Sequence, residues 1–431
     1  MSAPLDQQGP VHDVIGIGFG PSNLALAIAI DEHNRAAGAD RLDALFLDRQ
    51  PGFGWHRGML IEGTTMQVSF LKDLVTQRNP ASDFSFLSYL HARGRLVDFI
   101  NHKTMFPTRV EYHDYLEWAA ARMDPVVRYG TEVTGVGLDA DGLFTVTAGG
   151  SAWRTRNVVV AVGLEASVPA GAELGDRVWH NLDLMHRVGE LDPRTSRRFT
   201  VVGAGQSAAE ATEYLHRSFP NAEVCSVFSR YGYSPADDSP FANRIFDPQA
   251  VEDFYASPEQ FKRTLLDYHR NTNYSVVDLD LIEELYSRAY QEKVRGEQRL
   301  RMFNASRVVD TRTGPDGVAV TVEFLPTGER TVLESDVLVY ATGCRPRDPL
   351  ALLGDLGRRC ARDEQGRPQV ERDYRLRADF PGGVYLQGGT EHTHGISSSL
   401  LSNGAVRAGE IRDSVLAARG AAVREVALTG S

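Results

Sequence analysis

The chain has 431 residues, of which 42% are hydrophobic and 24% charged, with a formal net charge of −11. That length is too great for a single hydrophobic core and predicts two or three domains. The acidic balance argues against a nucleic-acid partner, which would need a basic face. No run approaches the roughly 18 apolar residues of a membrane span, so no membrane association is expected. The opening MSAPLDQQGPVHD lacks the basic and apolar regions of a signal peptide, and a cytoplasmic protein is expected.

In chain order, HDVIGIGFGPSNLALAIAI runs from an apolar strand (Val14, Ile15) through Gly16, Gly18 and Gly20 into a helical pattern. Glycine suits such a place because the strand must turn sharply and its backbone must approach a pyrophosphate. The helix that follows aims its N-terminal N–H groups and positive dipole end at that phosphate. Pro21 replaces the usual third glycine and is tolerated in a first helical turn. The strand–turn–helix context favours a dinucleotide site over a purely structural glycine loop. The next strand, ALFLDR, ends in Asp48, placed where a carboxylate binds a ribose hydroxyl.

RFTVVGAGQSAAEATEYL repeats the pattern. A strand leads to Gly203 and Gly205, then Gln206 and Ser207 open a helix, with Ala208 at the third small position. Here the following strand, AEVCSVFSR, ends at Arg230 instead of an acid. An acid favours a free 2′-hydroxyl, whereas an arginine pairs with a 2′-phosphate. The first site therefore suits FAD and the second NADPH, the alternative for Arg230 being a solvated surface arginine.

NVVVAVGLEASVP (157–169) and SDVLVYATGCRP (335–346) are each an apolar strand ending in a glycine turn followed by proline. Strands of this kind carry the chain between the nucleotide domains of flavoproteins with two dinucleotide-binding domains. VTVEFLPTGERTVLESDVLVYATG reads as a hairpin leading into the second of them. The expected fold class is α/β, with two Rossmann-like domains and a smaller, mainly helical substrate-binding insertion. The FAD domain is placed at 1–165 and 341–425, the NADPH domain at 166–230 and 300–340, the insertion at 231–299 and a loose tail at 426–431. Two glycine turns then mean two cofactors, with hydride passing from one to the other.

Cys225, Cys344 and Cys360 form no CxxC and no zinc spacing, which disfavours a flavin disulfide reductase. The remaining class reduces oxygen and needs a site that excludes water. In EHTH (391–394), His392 and His394 lack the three or four ligands of a metal site, and no metal is expected. Asp237 and Asp238 lie in a Pro- and Ser-containing turn and read as its caps.

Five ordered blocks span nearly the whole chain: MLIEGTTMQVSFLKDLVTQRNPASDFSFLSYLHARGRLVDFINHKTMFPTRVEYHDYLEWAA (59–120), PADDSPFANRIFDP (235–248), NTNYSVVD (271–278), YATGCRP (340–346) and HTHGISSSLLS (392–402). Through them the chain resembles the microbial N-hydroxylating flavin monooxygenases of siderophore biosynthesis, and among these most closely the L-ornithine N5-monooxygenases. The resemblance implies conversion of L-ornithine to N5-hydroxyornithine with FAD, NADPH and O2, through a C4a-hydroperoxyflavin. It implies no catalytic side-chain nucleophile. Lys72, Asn243 and Asn273 would hold the substrate, and the chemistry agrees: lysine pairs with a carboxylate, and asparagine carbonyls accept from an α-ammonium. A surface lysine and loop-capping asparagines are the alternatives. Gln67 and Asn273 would act by positioning, Asn273 also touching NADP, and Gln67 and Trp55 would lie near the flavin. GISSSLLSNGAV is expected to start a helix after Gly395 and the serines, and the resemblance brings Ser399 or Leu400 to the substrate, Leu400 being placed also beside the FAD. The resemblance also implies a homotetramer. L-lysine or a diamine (putrescine, cadaverine) stays open as substrate, because a methylene is worth only about 1–3 kcal/mol in a pocket. A non-enzymatic NADPH-sensing regulator on the same fold stays open too.

Overall fold

The structure, a computed structural model, describes residues 9–429 except 39, 270, 271, 273 and 274, with side chains described to residue 420. Its first sheet is built around Val11–Ile17, which runs parallel to Ala44–Leu47 on one side and to Ser151–Val160 on the other. Val127–Arg128 extends the sheet beyond Ala44–Leu47. Ser151–Val160 divides its far edge. Its C-terminal half pairs parallel with Gly383–Leu386, while its N-terminal half pairs antiparallel with Phe144–Ala148, followed by Val133–Leu138. The central strands are near-continuous apolar runs because both sheet faces are covered. Helix Pro21–Ala36 covers one face and packs in turn against helix Gly404–Thr429.

The second sheet is wholly parallel, in the order Leu300–Phe303, Glu223–Val227, Arg198–Val202, Val337–Tyr340, Val178–His180. The expected hairpin is formed by Val318–Phe324 and Arg330–Ser335, joined by Ser306–Thr313 in a small antiparallel sheet. Two crossing segments link the sheets. Leu164–Ala166 leads out, Cys344–Pro346 leads back, and the two pair antiparallel. Helices Pro248–Ala256, Glu259–Tyr268 and Leu279–Arg295 occupy the stretch of chain between strands Glu223–Val227 and Leu300–Phe303.

Against the first sheet and helix Pro21–Ala36 packs a compact aromatic layer carried by helices Phe86–Ala92 and Arg109–Ala121. Phe86 stacks on Tyr112 at 5.9 Å and meets Tyr115 edge-on at 5.3 Å. Both helices start at a hydroxyl cap, Ser85 accepting from the Ser88 N–H and Thr108 from the Glu111 N–H.

The helix expected after Gly395 and the serines is present, set back by a short turn. Ile396–Ser399 forms one 3-10 turn, Leu400 is extended (φ −101, ψ 163), and the long helix begins at Gly404. The reason is competition for backbone groups. The Ser398 carbonyl, which a helix would use internally, accepts from Arg407 at 2.5 Å. Helix Gly404–Thr429 also runs through the segment expected to be loose.

Candidate active site

A cavity of about 2120 Å³ opens where the two sheets and the helical insertion meet. A drug-sized ligand needs about 300–1,000 Å³, so this space holds more than one molecule. Of the residues singled out in the sequence, Gly18, Gly20, Pro21, Asp48, Trp55, Gln67, Lys72, Gln206, Ser207, Asn243, Ser399 and Leu400 line it. Gly16, Gly203, Gly205 and Arg230 lie outside the lining. Asn273 falls outside the described residues.

The glycines of the two turns divide into two kinds. Gly18 has φ +85 and Gly203 φ +148, and in each a Cβ would strike a backbone carbonyl, that of Ala161 or Ala341. These carbonyls stand at matching places, where the crossing segments leave their sheets, so the requirement for glycine is steric and internal to the protein. Gly16 is likewise a packing glycine, its Cβ position meeting the Phe46 ring. At Gly20, by contrast, a Cβ would meet no protein atom within 4 Å, and the position faces the cavity. The open space lies at the N-terminus of a helix with Pro21 as its first residue, a place that suits an anion. Gly205 sits under Ser275, whose Cα is 3.4 Å from its Cβ position. Arg230 donates to the Ser275 carbonyl at 2.8 Å and so reaches the same turn from the neighbouring strand.

Asp48 is buried and both its oxygens accept backbone N–H groups, from Phe19 at 2.5 Å and from Gln50 at 2.7 Å. It therefore fixes the first turn as well as lining the cavity. Beneath that turn lies a buried polar web that sequence reasoning missed. Asn23 donates to the Gly18 carbonyl at 2.7 Å and accepts from Gln387 at 2.8 Å. Arg407 is 2% exposed and donates to Gln387 Oε1 (3.3 Å), the Ser398 carbonyl (2.5 Å) and Ser22 Oγ (3.2 Å). The web ties the 396–402 segment, with Ser399 and Leu400, to the first glycine turn. Ser399 Oγ accepts from the Gly389 N–H at 3.4 Å.

Lys72 lies over the Phe246 ring, with Nζ 5.8 Å from its centroid. Burial lowers its ammonium from the usual lysine value, while Asp247 opposes the shift. Asn243 spends its amide N–H on the Asp238 carbonyl at 2.7 Å, which leaves Oδ1 as an acceptor. It is thus a loop cap and a cavity residue at once.

A second web spans the junction. Asp278 accepts from Gln67 at 3.1 Å and from Gln206 at 3.0 Å, and its own N–H donates to Gln206 Oε1 at 2.8 Å. Arg109 makes a bidentate pair with the buried Glu210, at 2.9 and 2.8 Å, and donates to the Met59 carbonyl. His56 also lines the cavity, in a left-handed conformation (φ 50). Burial, helped by Arg109, pushes its imidazole down to about 4, so it is neutral at neutral pH. The only sequence signals for these residues were bland ones: Asp278 reads as a helix cap, and Arg109 and Glu210 as helix surface charges.

His392 and His394 turn their ring nitrogens to the backbone carbonyls of Pro368 (2.8 Å) and Arg372 (3.2 Å). Among the described residues, no cluster of three or more His, Cys, Asp or Glu is placed to hold a metal ion. Among them, too, no helix is long and apolar enough to cross a membrane.

Three comparisons bear on this site. Residues 10–346 match the family model described as L-lysine 6-monooxygenase/L-ornithine 5-monooxygenase. The chain is 42% identical over 407 residues to the L-ornithine N(5)-monooxygenase of Burkholderia cepacia, covering 90% of this chain and 91% of that one. Among solved structures it is similar to the ornithine N-hydroxylase of Kutzneria sp. 744 with reduced FAD, NADP+ and L-ornithine (TM-score 0.90, 47% identity, 94% of this chain and 99% of that one). It is also similar to the L-lysine 6-monooxygenase of Pseudomonas syringae (TM-score 0.83, 31% identity, 94% and 99%).

Proposed function

The chain belongs to the L-lysine 6-monooxygenase/L-ornithine 5-monooxygenase family, and from that premise we propose that it hydroxylates the side-chain amine of L-ornithine to N5-hydroxyornithine with FAD, NADPH and O2. One observation carries this reading. The first glycine turn, the head of the helix after the second, and the Lys72–Asn243 pair all open on one cavity. The greater identity to ornithine hydroxylases than to the lysine enzyme favours ornithine as the amine.

When bound, FAD would pass electrons from NADPH to O2, which would supply one oxygen atom to the amine and the other to water. The chain's own residues bind, orient and exclude water. Gly18, Gly20 and Pro21 would take the FAD pyrophosphate and Asp48 a ribose hydroxyl, with Trp55, Gln67 and Leu400 beside the ring. Gln206 and Ser207, at the N-terminus of the second helix, would receive NADPH, with Arg230 at its 2′-phosphate and Asn273 nearby. Lys72 would pair with the ornithine carboxylate, while Asn243 Oδ1, Asn273 and Ser399 take its α-ammonium. The side-chain amine must arrive uncharged, because only a nitrogen lone pair can accept the oxygen.

The division into an FAD domain (1–165, 341–425), an NADPH domain (166–230, 300–340) and an insertion (231–299) belongs to the same proposal. So does supply of the product to assembly of a hydroxamate siderophore or related natural product. We place the protein in the cytoplasm, a location that three cysteines outside any disulfide suit, and assign it a homotetramer. Support for assembly is the apolar face Tyr286, Tyr290 and Val294 on one helix, each more than half exposed. The activity is tested by incubating FAD-loaded protein with NADPH and, in parallel, ornithine, lysine, putrescine and cadaverine. Hydroxylamine from ornithine above all others is expected. Preference for a diamine would remove the carboxylate clamp at Lys72, and no product from any amine would overturn the reading.

A further inference from the structure

Asp278 stands at the N-cap of helix Leu279–Arg295, where an aspartate ordinarily accepts an N–H of its own helix. Its side chain makes no such bond. Both oxygens instead reach across the junction, Oδ1 to Gln67 Nε2 (3.1 Å) and Oδ2 to Gln206 Nε2 (3.0 Å). The three residues come from three parts of the chain: the segment after the first glycine turn, the first residue of the helix after the second turn, and the insertion.

The charge of Asp278 decides how both amides sit. An ionised carboxylate only accepts, so each glutamine must turn its NH2 toward it. The carbonyl oxygen of Gln206 is then met by the Asp278 N–H at 2.8 Å. The carbonyl oxygen of Gln67 has to point away from Asp278 and is offered to the cavity as an acceptor. A neutral group at position 278 would not impose this, because it could donate as readily as accept.

We propose that Asp278 is a positioning residue, whose carboxylate fixes the amide of Gln67 and ties it to Gln206 at the dinucleotide-binding helix. NADP(H) occupancy and oxygen transfer are thereby kept coupled. The inference rests on the hydroxylase reading above. The groups facing Asp278 set its pH response. Burial raises its carboxyl above the usual value, Gln67 opposes this, Glu210 and Asp238 add to it, and Arg109 lowers it. As pH falls, the carboxylate is therefore lost at a higher pH than for an ordinary aspartate, and the clamp with it.

The test is Asp278→Asn in the FAD-loaded full chain, with three readouts. The yield of N5-hydroxyornithine per NADPH should fall by about threefold or more, with hydrogen peroxide accounting for the difference, as one charge-assisted bond is lost. The NADP+ dissociation constant, measured by calorimetry, should rise by about fivefold or more on the same ground. The wild-type yield should decline as pH falls, and at a higher pH than an ordinary aspartate titrates, while the variant's profile stays flat. A merely structural Asp278 would lower the melting temperature and leave yield and NADP+ affinity unchanged, and that result overturns the proposal. Should Asp278→Asn not fold, Gln206→Met removes the clamp from its other side, and unchanged yield and affinity there overturn it equally. If the wild type forms no hydroxyornithine, the functional reading fails, and NADP+ calorimetry still decides whether the clamp exists.

Discussion

At the scale of single residues, the two kinds of glycine in the first turn give opposite expectations. Gly18→Ala forces a Cβ into the Ala161 carbonyl at φ +85. A left-handed alanine alone costs about 1–2 kcal/mol, and the clash adds to it. The melting temperature should fall even without FAD. Gly20→Ala meets open space. It should leave the FAD-free protein as stable as the wild type and weaken FAD binding, measured as flavin retained on purification. Equal melting losses in the two variants would show that Gly20 serves packing and not a ligand. Lys72→Ala should raise the KM for ornithine by about tenfold or more, since a hydrogen bond to a charged group is worth about 1.5–3 kcal/mol. NADPH oxidation should remain measurable. An unchanged KM would take Lys72 out of the substrate pocket.

At the scale of elements, the junction of the 396–402 segment with the first turn depends on Arg407. Removing a buried donor leaves its acceptors unsatisfied, at a cost of about 1–3 kcal/mol each. Arg407→Met should therefore melt below the wild type, and the loss of its bonds to Gln387, Ser398 and Ser22 should raise the FAD dissociation constant by about tenfold. Fluorescence titration of the FAD-free protein checks this, and an unaltered constant would contradict it. Elements also show what a sequence reveals. Both glycine turns were legible because their steric demand is local: a strand, a left-handed glycine, a helix. The crossing segments were legible because each ends in its own glycine turn. Lys72 and Asn243 became visible only through the resemblance to a family, since a lysine in an apolar run and an asparagine in a turn have commoner explanations. Arg407 gave no signal, because an arginine amid small helical residues looks like a solvated face. Asp278 was hidden by a plausible local role as a cap, while its partner Gln67 lies 211 residues away. The serine-rich approach to the last helix pointed to the helix but not to the residue where it begins, because the side chain of Arg407 takes a carbonyl that an earlier start would use.

At the scale of the whole molecule, the cavity exists only because the two sheets are held against each other. Gly58 brings its backbone against Leu182, where a Cβ would strike the carbonyl, and the Arg109–Glu210 pair bridges helices Arg109–Ala121 and Gln206–Ser218. Glu210 is 3% exposed, so Arg109→Ala leaves a buried charge unpaired, at a cost of about 3–5 kcal/mol. The melting temperature should drop clearly. The double variant Arg109→Met, Glu210→Leu should recover most of the loss, whereas equal melting of single and double variants would show that the pair does not hold the junction.

On the proposed reading the two glycine turns serve two dinucleotides whose electrons end in a single oxygen transfer to ornithine. The most direct measurement is a single turnover: FAD-loaded protein reduced without oxygen by one equivalent of NADPH, then mixed with oxygen and L-ornithine, with N5-hydroxyornithine quantified against NADPH consumed. Bleaching of the flavin by NADPH and close to one hydroxyornithine per NADPH are expected. Flavin that NADPH does not reduce, or reduction followed by hydrogen peroxide alone, would contradict it.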